Sequence, residues 1–122
     1  MLHRARMTPK EMKARTKQFA VDVIKLCRVI PTSTDGRVVA GQLLRASTSV
    51  AANYRAACRG RSRAEFIAKL GVALEESDES LLWLELIAES NLMPLSRVER
   101  LLKEADELTA ILTASIKTAK GN

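Results

Sequence analysis

The stretch Ser62–Ser90, SRAEFIAKLGVALEESDESLLWLELIAES, limits the possible folds more than any other part of the chain. Ile67, Leu70, Leu74, Ser77, Leu81, Leu84 and Ala88 recur in it at alternating steps of three and four. That spacing gathers them on one side of an α-helix, whereas a strand would scatter them over both faces. Ser62 followed three residues later by Glu65 predicts a capping box, in which each side chain satisfies one backbone N–H orphaned at the helix start. Glu75, Glu76, Asp78, Glu79, Glu85 and Glu89 fall off the seam. So do Leu82, Trp83 and Leu86, which makes the second half apolar on two faces. A helix of that kind asks for two layers of partners.

The flanking sequence supplies three more helices. Thr8-Pro9-Lys10-Glu11 combines a cap, a proline suited to the first helical position and a glutamate that completes a box. Phe19, Val23, Leu26 and Ile30 form the inner stripe that follows, widened by Ala20, Ile24 and Cys27. Residues 31–36, PTSTDG, read as a turn. A second helix then buries Leu43, Ser47, Val50, Tyr54 and Ala57. Gly60 suits a left-handed cap between it and the central helix. Pro94 ends the central helix, and Ser96 with Glu99 predicts a further capping box. Val98, Leu101, Ala105, Leu108, Leu112, Ser115 and Ala119 then line the last seam. The expected fold is all-α, one antiparallel up-down-up-down four-helix bundle over residues 1–122, with helices near 9–30, 35–58, 63–90 and 97–119. A chain 47% hydrophobic but only 3% aromatic packs helices through aliphatic side chains more readily than it builds a sheet.

Charge is uneven along the chain. Residues 1–30 carry a net +6, 31–60 carry +3, 61–90 carry −4 and the remainder +1. Two basic helices beside an acidic one suit either a nucleic-acid surface or complementary pairing inside an assembly. Arg6, Lys10, Lys13 and Lys17 recur along one side of the first helix, as a solvated face or an anion-binding one. Arg45, Arg55 and Arg59 alternate with Thr48 and Ala52 on the outer side of the second. Small residues there let another surface approach, and the guanidinium forks fit carboxylate or phosphate. These three arginines are expected to meet acids of the central helix within or between subunits, with Leu82, Trp83 and Leu86 completing an oligomer interface. Arg61 and Arg63 flank a helix start and could hold a phosphate, or simply complement a helix C-terminus. Ser49 and Asn53, one turn apart beside a seam, are expected to fix register through satisfied hydrogen bonds.

The sequence offers little to a catalyst. His3 is the single histidine, so the Glu-x-x-His pairs of a di-iron bundle cannot form around Glu75 and Glu79. There is no glycine-rich phosphate loop, nucleophile set or zinc spacing. The expectation is a non-enzyme with no cofactor and no metal. Cys27 and Cys58 lie far apart without a C-x-x-C pair, as buried free thiols in a reducing cytoplasm would. The basic start lacks a signal peptide's apolar run, and no membrane-spanning stretch occurs.

Residues 42–87, QLLRASTSVAANYRAACRGRSRAEFIAKLGVALEESDESLLWLELI, resemble the core of the 23S rRNA intervening-sequence proteins. The resemblance is carried by Ser49, Val50, Asn53 and Tyr54, by the SRAEFIxKL block, and by the WLEL run from Trp83. It implies a bacterial four-helix bundle that assembles as a cyclic homopentamer, often encoded within inserts of large-subunit ribosomal RNA genes. Relatives include the accessory variability proteins of diversity-generating retroelements, basic pentamers that work with a reverse transcriptase and its RNA. Members often have Glu-Gly after the asparagine-centred run, where this chain has Arg55-Ala56. No catalytic residue comes with the resemblance. The functional expectation is a homo-oligomer that binds nucleic acid, RNA before DNA, through backbone contacts from Arg6, Lys10, Lys13, Lys17, Arg61 and Arg63. A protein-interaction scaffold is the alternative. With no aromatic residues among the basic ones, base stacking is not expected.

Overall fold

The computed structural model describes residues 7–121. Four helices occupy it: α1 (Pro9–Cys27), α2 (Thr34–Cys58), α3 (Arg63–Glu89) and α4 (Leu95–Ala119). Cross-helix contacts fix their directions. The Cys27 thiol, at the end of α1, donates to the Ala40 carbonyl near the start of α2. Lys13 and Lys17, near the start of α1, share a cavity with Arg55 and Arg59 at the end of α2. Arg45 of α2 reaches Glu76 and Glu79 of α3, while the α2 end adjoins the α3 start. Ser77 meets Ala105 and Thr109 of α4, and Arg63 meets Ala119. Arg15 and Asp22 of α1 pair with Glu104 and Arg100 of α4. Each pair of neighbours is therefore antiparallel, and the bundle runs up-down-up-down.

The caps explain most helix starts. Thr8 accepts from the Glu11 N–H at 3.1 Å and the Glu11 carboxylate accepts from the Thr8 N–H at 2.9 Å, a complete box. Ser33 accepts from the Gly36 N–H, so α2 opens just before the expected Asp35. Ser62 caps α3, but Glu65 accepts from the Arg61 N–H instead of closing on Ser62. The expected box at Ser96 and Glu99 does not form. The Pro94 carbonyl already accepts from the Arg97 N–H, which starts α4 at Leu95 and leaves Ser96 inside the first turn. At the other end, α1 stops at Cys27 and not at Ile30, because the residue before Pro31 is pushed out of helical backbone. Ile30 is buried all the same.

Gly60 does not take the left-handed conformation expected of it. Its requirement is space: a Cβ there would sit 3.1 Å from the Ala57 carbonyl and 3.2 Å from the Phe66 nitrogen. The left-handed residue that does end a helix is Asn91 (φ 60°), with the Leu92 N–H bonded back to the Ile87 carbonyl at 3.0 Å. That is a Schellman closure of α3.

The core fills the space between the four seams. The expected stripe of α2 (Leu43, Ser47, Val50, Tyr54, Ala57) is buried, as is that of α4 from Val98 through Leu101, Ala105 and Leu108 to Leu112, whereas Ser115 and Ala119 at its end are half-buried. On α3 the buried line is Leu70, Ala73, Ser77, Ser80, Leu84 and Ile87. Leu74, Leu81 and Ala88, expected on that seam, are half-buried at its margin, as is Ile67. The reason is that α3 packs against both α2 and α4, so its inward line passes between the two contacts and selects small Ala73 and Ser80. Each fully buried large aliphatic side chain contributes about 1.5–3 kcal/mol of transfer free energy, opposed by the entropy of ordering it. The buried hydroxyls are satisfied: Ser77 with Thr109 at 2.8 Å, Ser80 with the Glu76 carbonyl, Thr16 with the Met12 carbonyl.

Candidate nucleic-acid interface

Helical spacing places Lys10, Lys13 and Lys17 in file on α1, one turn apart. The antiparallel neighbour brings Arg55 and Arg59 opposite them. Two adjoining cavities result. One, of about 390 Å³, is lined by Lys10, Lys13, Ala14, Lys17, Arg55 and Arg59. The other, of about 540 Å³, shares four of those residues and continues over Ala51, Ala52 and Ala56 to Glu65 and Lys69 of α3. Together they form one groove with lysines on one wall, arginines on the other, Lys69 at its end and alanines along its floor. None of the six cations has a hydrogen-bond or ion-pair partner among the described residues. Glu65, the acid in the groove, is occupied by the Arg61 backbone N–H.

The other sequence-predicted residues have different situations. Arg6 lies outside the described residues. Arg61 is exposed and does not line the groove. Arg63 donates from Nε to the Ala119 carbonyl at 2.6 Å, serving the C-terminus of α4. Arg45 is engaged within the chain, donating to both oxygens of Glu76 at 3.2 Å and to Glu79. Arg55 and Arg59 form no ion pair with an acid of α3 within the subunit, and both line the groove. Lys69 carries no signal in its sequence context; it becomes visible only once α3 is laid beside α2.

The polar motif residues converge on the outer α2–α3 seam. Asn53 Nδ2 donates to the Ser49 carbonyl and Oγ, each at 2.9 Å, and Ser49 Oγ donates to Glu76 at 3.4 Å. Trp83 Nε1 donates to Glu79 at 3.0 Å. Trp83 is therefore half-buried and tied to the network, and its ring packs against the core margin. Leu82 (47% exposed) and Leu86 (40%) stand free on the outer side of α3, with Val72 on the same stripe.

The Trp83 N–H, and after it Arg45, hold the Glu79 carboxyl below its ordinary value of 4.5. A carboxylate depressed on folding stabilises fully above its unfolded value, and that contribution is lost as pH falls through the lowered one. Because Trp83 is the single tryptophan, its fluorescence is expected to titrate below pH 4.5. Glu79→Gln should abolish that transition while leaving the far-ultraviolet spectrum helical.

Two further features escaped the sequence. Arg15 donates to Glu104 from Nε and Nη2, each at 2.8 Å, and from Nη2 to Glu107 at 2.7 Å, closing α1 onto α4. Beside that clamp a cleft of about 780 Å³ carries both signs of charge, with Asp22 and Glu104 against Arg100 and Lys103. Among the described residues no cluster of His, Cys, Asp and Glu could hold a metal, and no helix is long and apolar enough to cross a membrane.

Fold and surface define a small all-α bundle with a cationic groove on one side and a motif-bearing polar seam on the next. The chain belongs to the 23S rRNA-intervening sequence protein family, whose family model matches residues 10–114. A crystal structure of a protein of unknown function from the S23 ribosomal protein family of Bacteroides thetaiotaomicron is 32% identical, with a TM-score of 0.83. The match covers 91% of this chain and 99% of that one. No curated protein matches the sequence.

Proposed function

We propose that this protein is a non-catalytic, homo-oligomeric bundle that binds nucleic acid, RNA in preference to DNA, through the phosphate backbone. The observation that carries this reading is the convergence of Lys10, Lys13, Lys17, Arg55, Arg59 and Lys69, all without partners among the described residues, on one groove. Unpaired cations held together repel one another, and a polyanion relieves that repulsion while releasing its counterions. Among the described residues the groove walls hold no aromatic ring and no amide side chain, so sequence preference should be slight. Anisotropy titrations with structured RNA, duplex DNA and heparin test it. With six phosphates neutralised on a single strand, affinity should fall roughly 300-fold between about 50 and 200 mM salt. Absence of binding at low salt would leave the protein-scaffold reading in its place.

Self-association is proposed from a separate observation, the exposed pair Leu82 and Leu86 one turn apart on α3. The homopentamer is the assembly that the family resemblance implies. Such a ring would repeat the groove and multiply weak contacts, provided one RNA reaches several subunits. Leu82→Glu combined with Leu86→Glu should reduce the species seen in light scattering to smaller ones. These positions suit the test better than Trp83, whose loss would also disturb the core margin. A wild-type protein that is monomeric at micromolar concentration would rule out the interface. The free thiols Cys27 and Cys58 are in keeping with a reducing, cytoplasmic setting.

A further inference from the structure

The shape of the groove narrows what it can hold. Its two walls are the solvent-side margins of two packed helices, whose axes lie about 8–10 Å apart. A duplex is far wider and would rest on the rims, reaching one wall at a time. A single phosphodiester strand laid along the groove would meet cations from both sides. The pitch agrees: Lys10, Lys13 and Lys17 follow one another at about one helical turn, ~5.4 Å, the order of the spacing between successive phosphates on one strand. The floor is Ala14, Ala51, Ala52 and Ala56, which offers bases neither a stacking platform nor a hydrogen-bond donor. A strand seated there gains from placing its phosphates inward and its bases toward water.

We infer that the groove carries one strand by its backbone with the base edges turned outward, so that the protein promotes pairing of complementary strands. This rests on the nucleic-acid reading above. Neutralised phosphates remove the main repulsion between two approaching strands, and free Watson–Crick edges leave the bound strand competent to pair. No bond is made or broken, and no energy source is needed, because the duplex is the more stable product.

The test uses the full chain and two short complementary oligoribonucleotides carrying a donor and an acceptor fluorophore. At low salt the protein should raise the pairing rate at least about tenfold, and bound single strands should keep the dimethyl sulfate reactivity of their base edges. Lys13→Gln with Arg55→Gln should lose the acceleration; both side chains are exposed and unpaired, and unchanged helical circular dichroism would establish that the variant folds. Binding of single strands without faster pairing, or with protected base edges, overturns the inference and leaves phosphate binding standing. Equal acceleration by the variant overturns the groove as its site. Failure to bind either strand overturns the nucleic-acid reading itself.

Discussion

Reversing three charges in the groove, with Lys13→Glu, Lys17→Glu and Arg55→Glu together, is expected to lower RNA affinity at low salt by more than about a hundredfold. Six cations then become three, faced by three new anions, and the groove no longer attracts phosphate. The salt slope should flatten with it, since each lost phosphate contact removes about 0.7–0.9 from the log–log slope. The fold should survive: all three side chains are exposed and unpaired, and such surface changes stay within about 0.5 kcal/mol. Net charge alone is separated from geometry by a matched control. Lys25→Glu, Lys117→Glu and Lys120→Glu impose the same change of charge away from the groove. That control should retain most of the affinity; equal loss in both triple variants would show that the groove is no site.

Gly36→Ala is expected to destabilise the bundle by about 1–3 kcal/mol even though alanine is the better helix former. Gly36 lies in the first turn of α2, folded back on the turn before it. A Cβ there would fall 1.9 Å from the Pro31 carbonyl oxygen and 2.9 Å from its carbon. These are backbone atoms, which cannot swing aside like the end of a side chain, so the turn and the helix start must separate. The propensity gain of about 1 kcal/mol works against this, and the collision outweighs it. Gly41 and Gly71 supply the contrast. Each stands inside a helix where an added Cβ would meet nothing within 4 Å, so Ala there should stabilise by about 0.4–1 kcal/mol. Urea unfolding should therefore move the midpoint down for Gly36→Ala and up for the other two, with similar slopes. A neutral Gly36→Ala would mean that the turn yields more easily than its backbone contacts imply.

Local chemistry made the helices legible. Thr8, Ser33 and Ser62 cap because a side-chain oxygen close to an orphaned N–H acts without help from the rest of the fold. The stripes of α2 and α4 were readable because each of those helices has one broad inward line. The α3 seam was half readable: Leu70, Ser77 and Leu84 lie on it, but burial of Ala73 and Ser80 depends on where α2 and α4 press. Small or polar residues carry no hydrophobic signal of their own, so periodicity assigned their places to larger neighbours. The box at Ser96 failed for a related reason, since Pro94 competes for the same helix start and the pattern does not rank the two.

At the candidate site, the file of Lys10, Lys13 and Lys17 and the outward setting of Arg55 and Arg59 were legible in advance, because each follows from spacing along one helix. Helix packing brought the two sets to one groove, added Lys69 to them and set Arg45 against Glu76 and Glu79. It likewise gave Arg63 to the Ala119 carbonyl and left Leu82 and Leu86 in solvent while tying down Trp83. The difference is one of range. Helical periodicity orders residues three and four apart, whereas a charge's partner is set by which helix packs alongside and at what register.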